Sequence, residues 1–359
     1  MEKAIKFIKE QMNKKVLVKQ IRVYGWQNEY DYTLVSGVGK FLFEEFKTIE
    51  NLAPISNENR PGDIKPRYYV TVHDTGDAST LHTASFWSEA VKSEGWEQGK
   101  YACSYQYVVG NDGTYHNIPD NEVAWHAGDT TKYDYKLYDS GVSGNNENPL
   151  VTISLDGYYE IDGVKSKILA PRVYKEKDGN VVVDRPARTE DINDQGVLCK
   201  LIDGVYYIGE TYFNSTYMLI ANRGGNNNSI GIESCINEGS NIYYTWQLTS
   251  KLVANLLYNN NLTIKDVKQH HYYSGKNCPQ TMRMNNMWNH VLELIEVEYQ
   301  ALLLQKEGYK FKLITDSPYI SSNGIVTLPK QKEIVKYQVE IEKDEERVIL
   351  DFIIDLNNY

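Results

Sequence analysis

No window of the 359-residue chain approaches the ~18 consecutive apolar residues of a membrane span, so insertion into a bilayer is not expected. The four cysteines, Cys103, Cys199, Cys235 and Cys278, form no CxxC pair and are widely spread, so a disulfide framework is not indicated. Excess positive charge is missing as well: the formal net charge is -10. A protein relying on general attraction to nucleic acid or acidic membrane needs a basic face, so neither is an expected partner. The opening MEKAIKFIKEQMNKK lacks the uninterrupted apolar core of a secretory signal. Its isolated apolar residues between lysines read as an amphipathic helix.

What is present is an ordinary globular composition, 41% hydrophobic and 24% charged, long enough for two or three domains. Residues 1–65 read as a helix, the strands VLVKQIRVYGW and YDYTLVSGV, and a helix over FLFEEFKTIE. Strands then alternate with helices over 66–300: RYYVTVHDTG, a helix over STLHTASFWSEAVKSE capped by Ser79 or Thr80, SYQYVVGNDGTYHNIP as two strands about a turn, SIGIESC, a helix over WQLTSKLVANLLYNNN, and one over roughly 280 to 305. This is the pattern of an α/β domain with a central sheet flanked by helices. At about 130–225 it is interrupted by short strand-like runs separated by Gly, Asn and Asp, which predict a β-rich insertion. Residues 305–359 alternate again and predict a small β module.

The chemistry-bearing stretch is HHYYSGKNCP at 270–279. A His, a Lys six residues on and a Cys eight residues on make a weak signal alone, and spacing leaves His270 and His271 both open. His73 strengthens it, because a side chain at the C-terminal end of a strand commonly faces a cleft in α/β folds. Two imidazoles and a thiolate form a three-ligand set for zinc and leave a fourth position for water. Glu233, an acid inside the apolar run SIGIESC, is unusual unless that strand end opens onto a polar site. His82, His116, His271 and His290 are expected to be structural, His290 at the surface.

Taken together, VHDTG (72–76), SYQYVV (104–109), AWHAGD (124–129), NNNSIGIESC (226–235) and HHYYSGKNCP resemble the type 2 N-acetylmuramoyl-L-alanine amidases. These zinc enzymes share their fold with the peptidoglycan recognition proteins and include many phage endolysins. The resemblance covers about 68–129 and 225–295. It implies His73, His270 and Cys278 as ligands of one catalytic zinc, Glu233 as general base and Lys276 as oxyanion stabiliser. It also implies an assisting Tyr105, and substrate contacts at His126 and Asn226.

The implied reaction is hydrolysis, by zinc-bound water, of the amide joining N-acetylmuramic acid to L-alanine, with the glycan and stem peptide of peptidoglycan as partner. Two departures stand out. Gln106 replaces the family's usual histidine and is expected to remove a supporting hydrogen bond, and the family usually joins WHAGD to SIGIE by about ten residues, where this chain carries the long insertion. The other readings are a non-catalytic peptidoglycan receptor of the same fold, which usually lacks the cysteine that is kept here, and a zinc peptidase acting within the stem peptide. The place of action implied is the cell wall, reached from the cytoplasm as by an endolysin or after secretion with a leader removed.

Overall fold

The computed structural model describes residues 1–12, 16–26, 28–55, 57–93, 103–128, 137–177, 180–189, 197–209 and 224–356. After helix α1 (Glu2–Met12) come the antiparallel pair β1 (Val18–Tyr24) and β2 (Glu29–Val35), then β3 (Ile49–Glu50) and β4 (Tyr69–Asp74). Helix α2 (Ala84–Lys92) leads to the hairpin β5 (Tyr107–Gly110) and β6 (Gly113–His116). The stretch expected as a β-rich insertion holds β7 (Leu137–Ser143), β8 (Val151–Ile153), β9 (Tyr158–Ile161), β10 (Val164–Leu169), β11 (Arg172–Lys177), β12 (Asn180–Pro186), β13 (Cys199–Ile202) and β14 (Val205–Gly209). Asp129 and the end of GVYYIGETYF after Gly209 lie outside the described residues.

The chain returns through the short α3 (Gly224–Asn228) to β15 (Ser229–Ser234), α4 (Ile242–Asn259), β16 (Val267–Gln269), α5 (His271–Ser274), α6 (Gln280–Met284) and α7 (Trp288–Lys306). It closes with β17 (Lys310–Ile314), β18 (Glu333–Lys343) and β19 (Glu346–Leu356), an antiparallel three-stranded sheet. No helix among the described residues is long and apolar enough to cross a membrane.

The central sheet is mixed, in the order β16-β4-β15-β5-β6-β3, with β4, β15, β16 and β5 parallel and the β5–β6 hairpin antiparallel. Side chains alternate across a strand. Val70, Val72, Ile230, Ile232, Tyr107 and Val109 pack on α4, α7 and the β1–β2 hairpin in one core. The opposite face of the same strands carries Thr71, His73, Gly231 and Glu233. The insertion has a core of its own, in which Val142, Val151, Tyr159, Ile161, Tyr206 and Ile208 are buried.

Four local expectations are corrected. Residues 41–48 are not helical: Leu42 donates its amide to Glu298 Oε1 at 2.8 Å, and Phe41 and Phe43 pack edge to face, so tertiary contacts override helix propensity. Neither Ser79 nor Thr80 caps α2. It begins at Ala84, where Asp112, from the β5–β6 turn, accepts from the amides of Ala84 and Ser85 at 3.0 and 2.9 Å. The last helix is broken at Asn285–Met287, where Asn286 has φ 55, giving α6 and α7. His290 is half-buried, with Nε2 2.8 Å from the Tyr243 hydroxyl.

Candidate metal centre

β4 and β15 are parallel neighbours, and their register sets His73 opposite Glu233. Opposed residues share a face, so both side chains project from one side of the sheet at its C-terminal edge, with His73 Nδ1 3.8 Å from Glu233 Oε1. Next to them on that face lie the small residues Thr71 and Gly231. A Cβ on Gly231 would lie 2.6 Å from the His126 ring, so only glycine lets the 124–128 loop close over the strand.

β16 extends the sheet beyond β4, bringing His270 beside His73 with ring centroids 4.9 Å apart. The chain then makes the turn of α5, leaves it at Gly275 with φ 74, and doubles back so that the His271 amide donates to the Cys278 carbonyl at 3.2 Å. Cys278 Sγ comes within 3.6 Å of His73 Nδ1. One donor atom each from His73, His270 and Cys278 lies within 4.8 Å of the others, and all three residues are buried. Tetrahedral ligands at ~2.0–2.3 Å from one ion stand roughly 3.5 Å apart, so this group can hold a metal.

Burial, then the charges of His270, His126 and Lys276, push His73 well below the usual histidine range and keep it neutral, as a metal ligand must be. Burial, with the nearby charge of Asp74, pushes Glu233 well above the usual carboxylate range, opposed by Lys276. Glu233 Oε2 is buried and has no hydrogen-bond partner among the described residues. Burial also raises Asp74 to about 6, against the amides of Thr281 and Gln280.

The other expected residues take these places. Lys276 is half-buried in the turn, and its charge acts on His73, Asp74, Glu233 and Cys278. Tyr105 is buried and donates its hydroxyl to the Trp87 carbonyl at 3.1 Å, joining the strand entry to α2. His126 Nδ1 lies 3.0 Å from His73 Nε2. Asn226 Oδ1 accepts from the amides of His126 and Ala127 at 2.8 and 2.7 Å. His271 is turned to a cleft of about 710 Å³ beside β13, β16 and α7, whose lining includes none of His73, Glu233 and Cys278.

Two residues did more than the sequence suggested. Gln106, expected to weaken the support of the site, is fully buried: its Nε2 donates to the Glu122 carbonyl and its Oε1 accepts from the Gly231 amide, both at 2.7 Å. Arg283 is the residue that the sequence hides. A cation between Met282 and Met284 on the short helix QTMRM is the available signal. Its guanidinium donates to Asn277 and Gln269.

The sheet and donor group are those of an α/β protein with three potential metal donors gathered at its strand ends. The sequence takes the assignment further: the chain belongs to the N-acetylmuramoyl-L-alanine amidase family, whose pattern matches residues 64–281, more than half of the chain. It is 32% identical over 82 residues to the N-acetylmuramoyl-L-alanine amidase CwlH of Bacillus subtilis (strain 168), covering 23% of this chain and 31% of that protein. To CwlA of the same strain it is 34% identical over 80 residues, 22% and 29% of the two chains. The match thus spans about a third of the length of these curated relatives. Among solved structures, the catalytic domain of XlyA aligns over 69% of this chain and 99% of its own, at 19% identity and a TM-score of 0.40.

Proposed function

We propose that the chain hydrolyses the amide between N-acetylmuramic acid and L-alanine of peptidoglycan, as a bacteriolytic zinc amidase. The 66–300 unit carries the reaction, with zinc held by His73, His270 and Cys278. The observation that carries the reading is the group of three donors with the Glu233 carboxylate beside it, in a chain of this family. The donor set suits zinc: two imidazoles and a thiolate, with no fourth protein ligand among the described residues.

A zinc ion there supplies Lewis acidity, polarising the amide carbonyl and bringing the pKa of water toward ~7. The chain's own residues do the rest. His126 takes the Nε2 proton side of His73 and so leaves the Nδ1 lone pair facing Cys278. Glu233, with an open oxygen, accepts the proton of the attacking water and gives it to the amine of L-alanine as the C–N bond breaks. The Lys276 ammonium faces the oxyanion, a contact of a type commonly worth roughly 3 to 4 kcal/mol. Tyr105 holds α2 against the site, while Asn226 and His126 form the wall toward which the lactyl side of the substrate is expected to lie.

The test is release of L-alanine amino termini from purified cell walls, followed by mass spectrometry of the sugar and peptide products. Cys278→Ala and chelation should each abolish release, and zinc should restore it to the chelated wild type. Sustained hydrolysis by metal-free protein would overturn the reading.

A further inference from the structure

We infer that the insertion clamps the turn that carries Lys276 and Cys278, and that Arg283 is the positioning residue through which it does so. The inference rests on the amidase reading for what the turn does, but the clamp itself stands on contacts. Arg283, on α6, is 5% exposed. Its Nε donates to Asn277 Oδ1 at 2.8 Å, its Nη1 to Gln269 Oε1, and its Nη2 to the carbonyl of Pro149 at 3.2 Å. One planar fork therefore joins the turn, the edge strand β16 and the insertion.

These partners are all neutral oxygens, and no ion pair of Arg283 occurs among the described residues. A buried cation without a counter-ion is costly. Lysine has no rigid fork with which to reach three acceptors in different directions.

A second contact reaches the other side of Lys276. The Val197 amide, from the segment of the insertion that leads into β13, donates to the Gly275 carbonyl at 2.7 Å. A Cβ on Gly275 would lie 2.4 Å from both C and O of Val197, so the two backbones meet with no room for a side chain. Val197 is itself part of the insertion's core with Val151, Ile161 and Ile208. Lys276 is thus held between two residues, Gly275 and Asn277, each tied to the insertion directly or through one guanidinium. The insertion acts as a wall of the site, and two of its segments, at Pro149 and at Val197, act on the same three-residue turn.

The test uses the full-length, zinc-loaded protein and three variants: Arg283→Lys, Asn277→Ala and Val197→Pro, the last removing the amide that bonds Gly275. Three quantities are read: kcat and KM on soluble wall fragments, zinc affinity by chelator competition, and amide hydrogen exchange of the 270–279 peptide. The clamp requires kcat to fall ~10- to 100-fold with KM within about twofold. Zinc affinity should fall ~10- to 100-fold, and exchange in the turn should accelerate in Arg283→Lys and in at least one of the other two variants.

If Arg283→Lys does not fold, Asn277→Ala and Val197→Pro read the same clamp without disturbing a buried charge. Lowered melting temperature with unchanged kcat, zinc affinity and turn exchange overturns the inference. If wild type releases no alanine termini, the amidase reading fails, and zinc affinity and exchange alone then decide the clamp.

Discussion

Nε2 of His73 lies 3.0 Å from Nδ1 of His126, while Nδ1 of the same His73 ring faces Cys278 Sγ at 3.6 Å. The two nitrogens of one imidazole are thus divided between a supporting residue and the donor group. His126→Ala should weaken zinc binding ~10- to 100-fold, because His73 loses the contact that fixes its tautomer and ring orientation. Competition with a chromophoric chelator measures this. Wild-type zinc affinity in the alanine variant would remove His126 from the site.

A second expectation concerns pH, at a histidine away from the candidate metal centre. Burial lowers His116, but Asp120 and Glu50 outweigh it, and the net effect raises its pKa. His116 Nδ1 is 3.0 Å from both Glu50 oxygens, and its Nε2 is 3.6 Å from Asp120 Oδ1. A raised histidine stabilises the fold fully below its unfolded value of ~6.5, and the contribution is lost as pH rises through the folded value. Melting temperatures between about pH 5.5 and 8.5 should show the advantage of wild type over His116→Gln shrinking with pH. A difference independent of pH would show that the charge of His116 contributes nothing.

Lys251 and Glu298 form a buried pair between α4 and α7, 2.8 Å apart and 5% and 2% exposed, and Glu298 also accepts from the Leu42 amide. Removing one partner leaves an uncompensated charge. Lys251→Met is expected to cost about 3 to 5 kcal/mol. Adding Glu298→Gln should recover most of that loss, since the amide oxygen still serves Leu42 while the charge is gone. Urea unfolding of the single and double variants checks the non-additivity; single losses that simply add in the double variant would mean the pair does not couple.

The site was legible where chemistry depends on residue type. An acid inside SIGIESC and a histidine ending RYYVTVH stand out against apolar alternation, and the strand period puts each on a definite face. Their juxtaposition was not legible, because register between distant strands is set by the folded sheet. Asp112 capping α2 was hidden for the same reason: the sequence near Ser79 and Thr80 offers local caps, and the folded chain uses a carboxylate from the next hairpin. Residues 41–48 misled because their aromatic and acidic residues have helical spacing, while packing against α7 and β17 decides their path. Arg283 shows the limit most clearly, since a buried arginine is readable only from the three segments it joins.

Helix α1 packs on strands that lie far along the chain from it. Ala4, Phe7, Ile8 and Met12 of α1 share a core with Val335, Val339 and Ile341 of β18 and Ile354 and Leu356 of β19, and the Tyr337 hydroxyl reaches the Met12 carbonyl at 3.4 Å. Contacts between segments this far apart form slowly, and an apolar face exposed in the meantime is open to misassociation. During translation, although Phe7 can already meet Phe41, whose ring centroid lies 5.9 Å away, the part of α1 that packs on β18 and β19 therefore stays uncovered until those strands have been made. Its attachment marks the completion of that core, so a pause in translation before β18 should leave α1 open to protease while the central sheet is already protected.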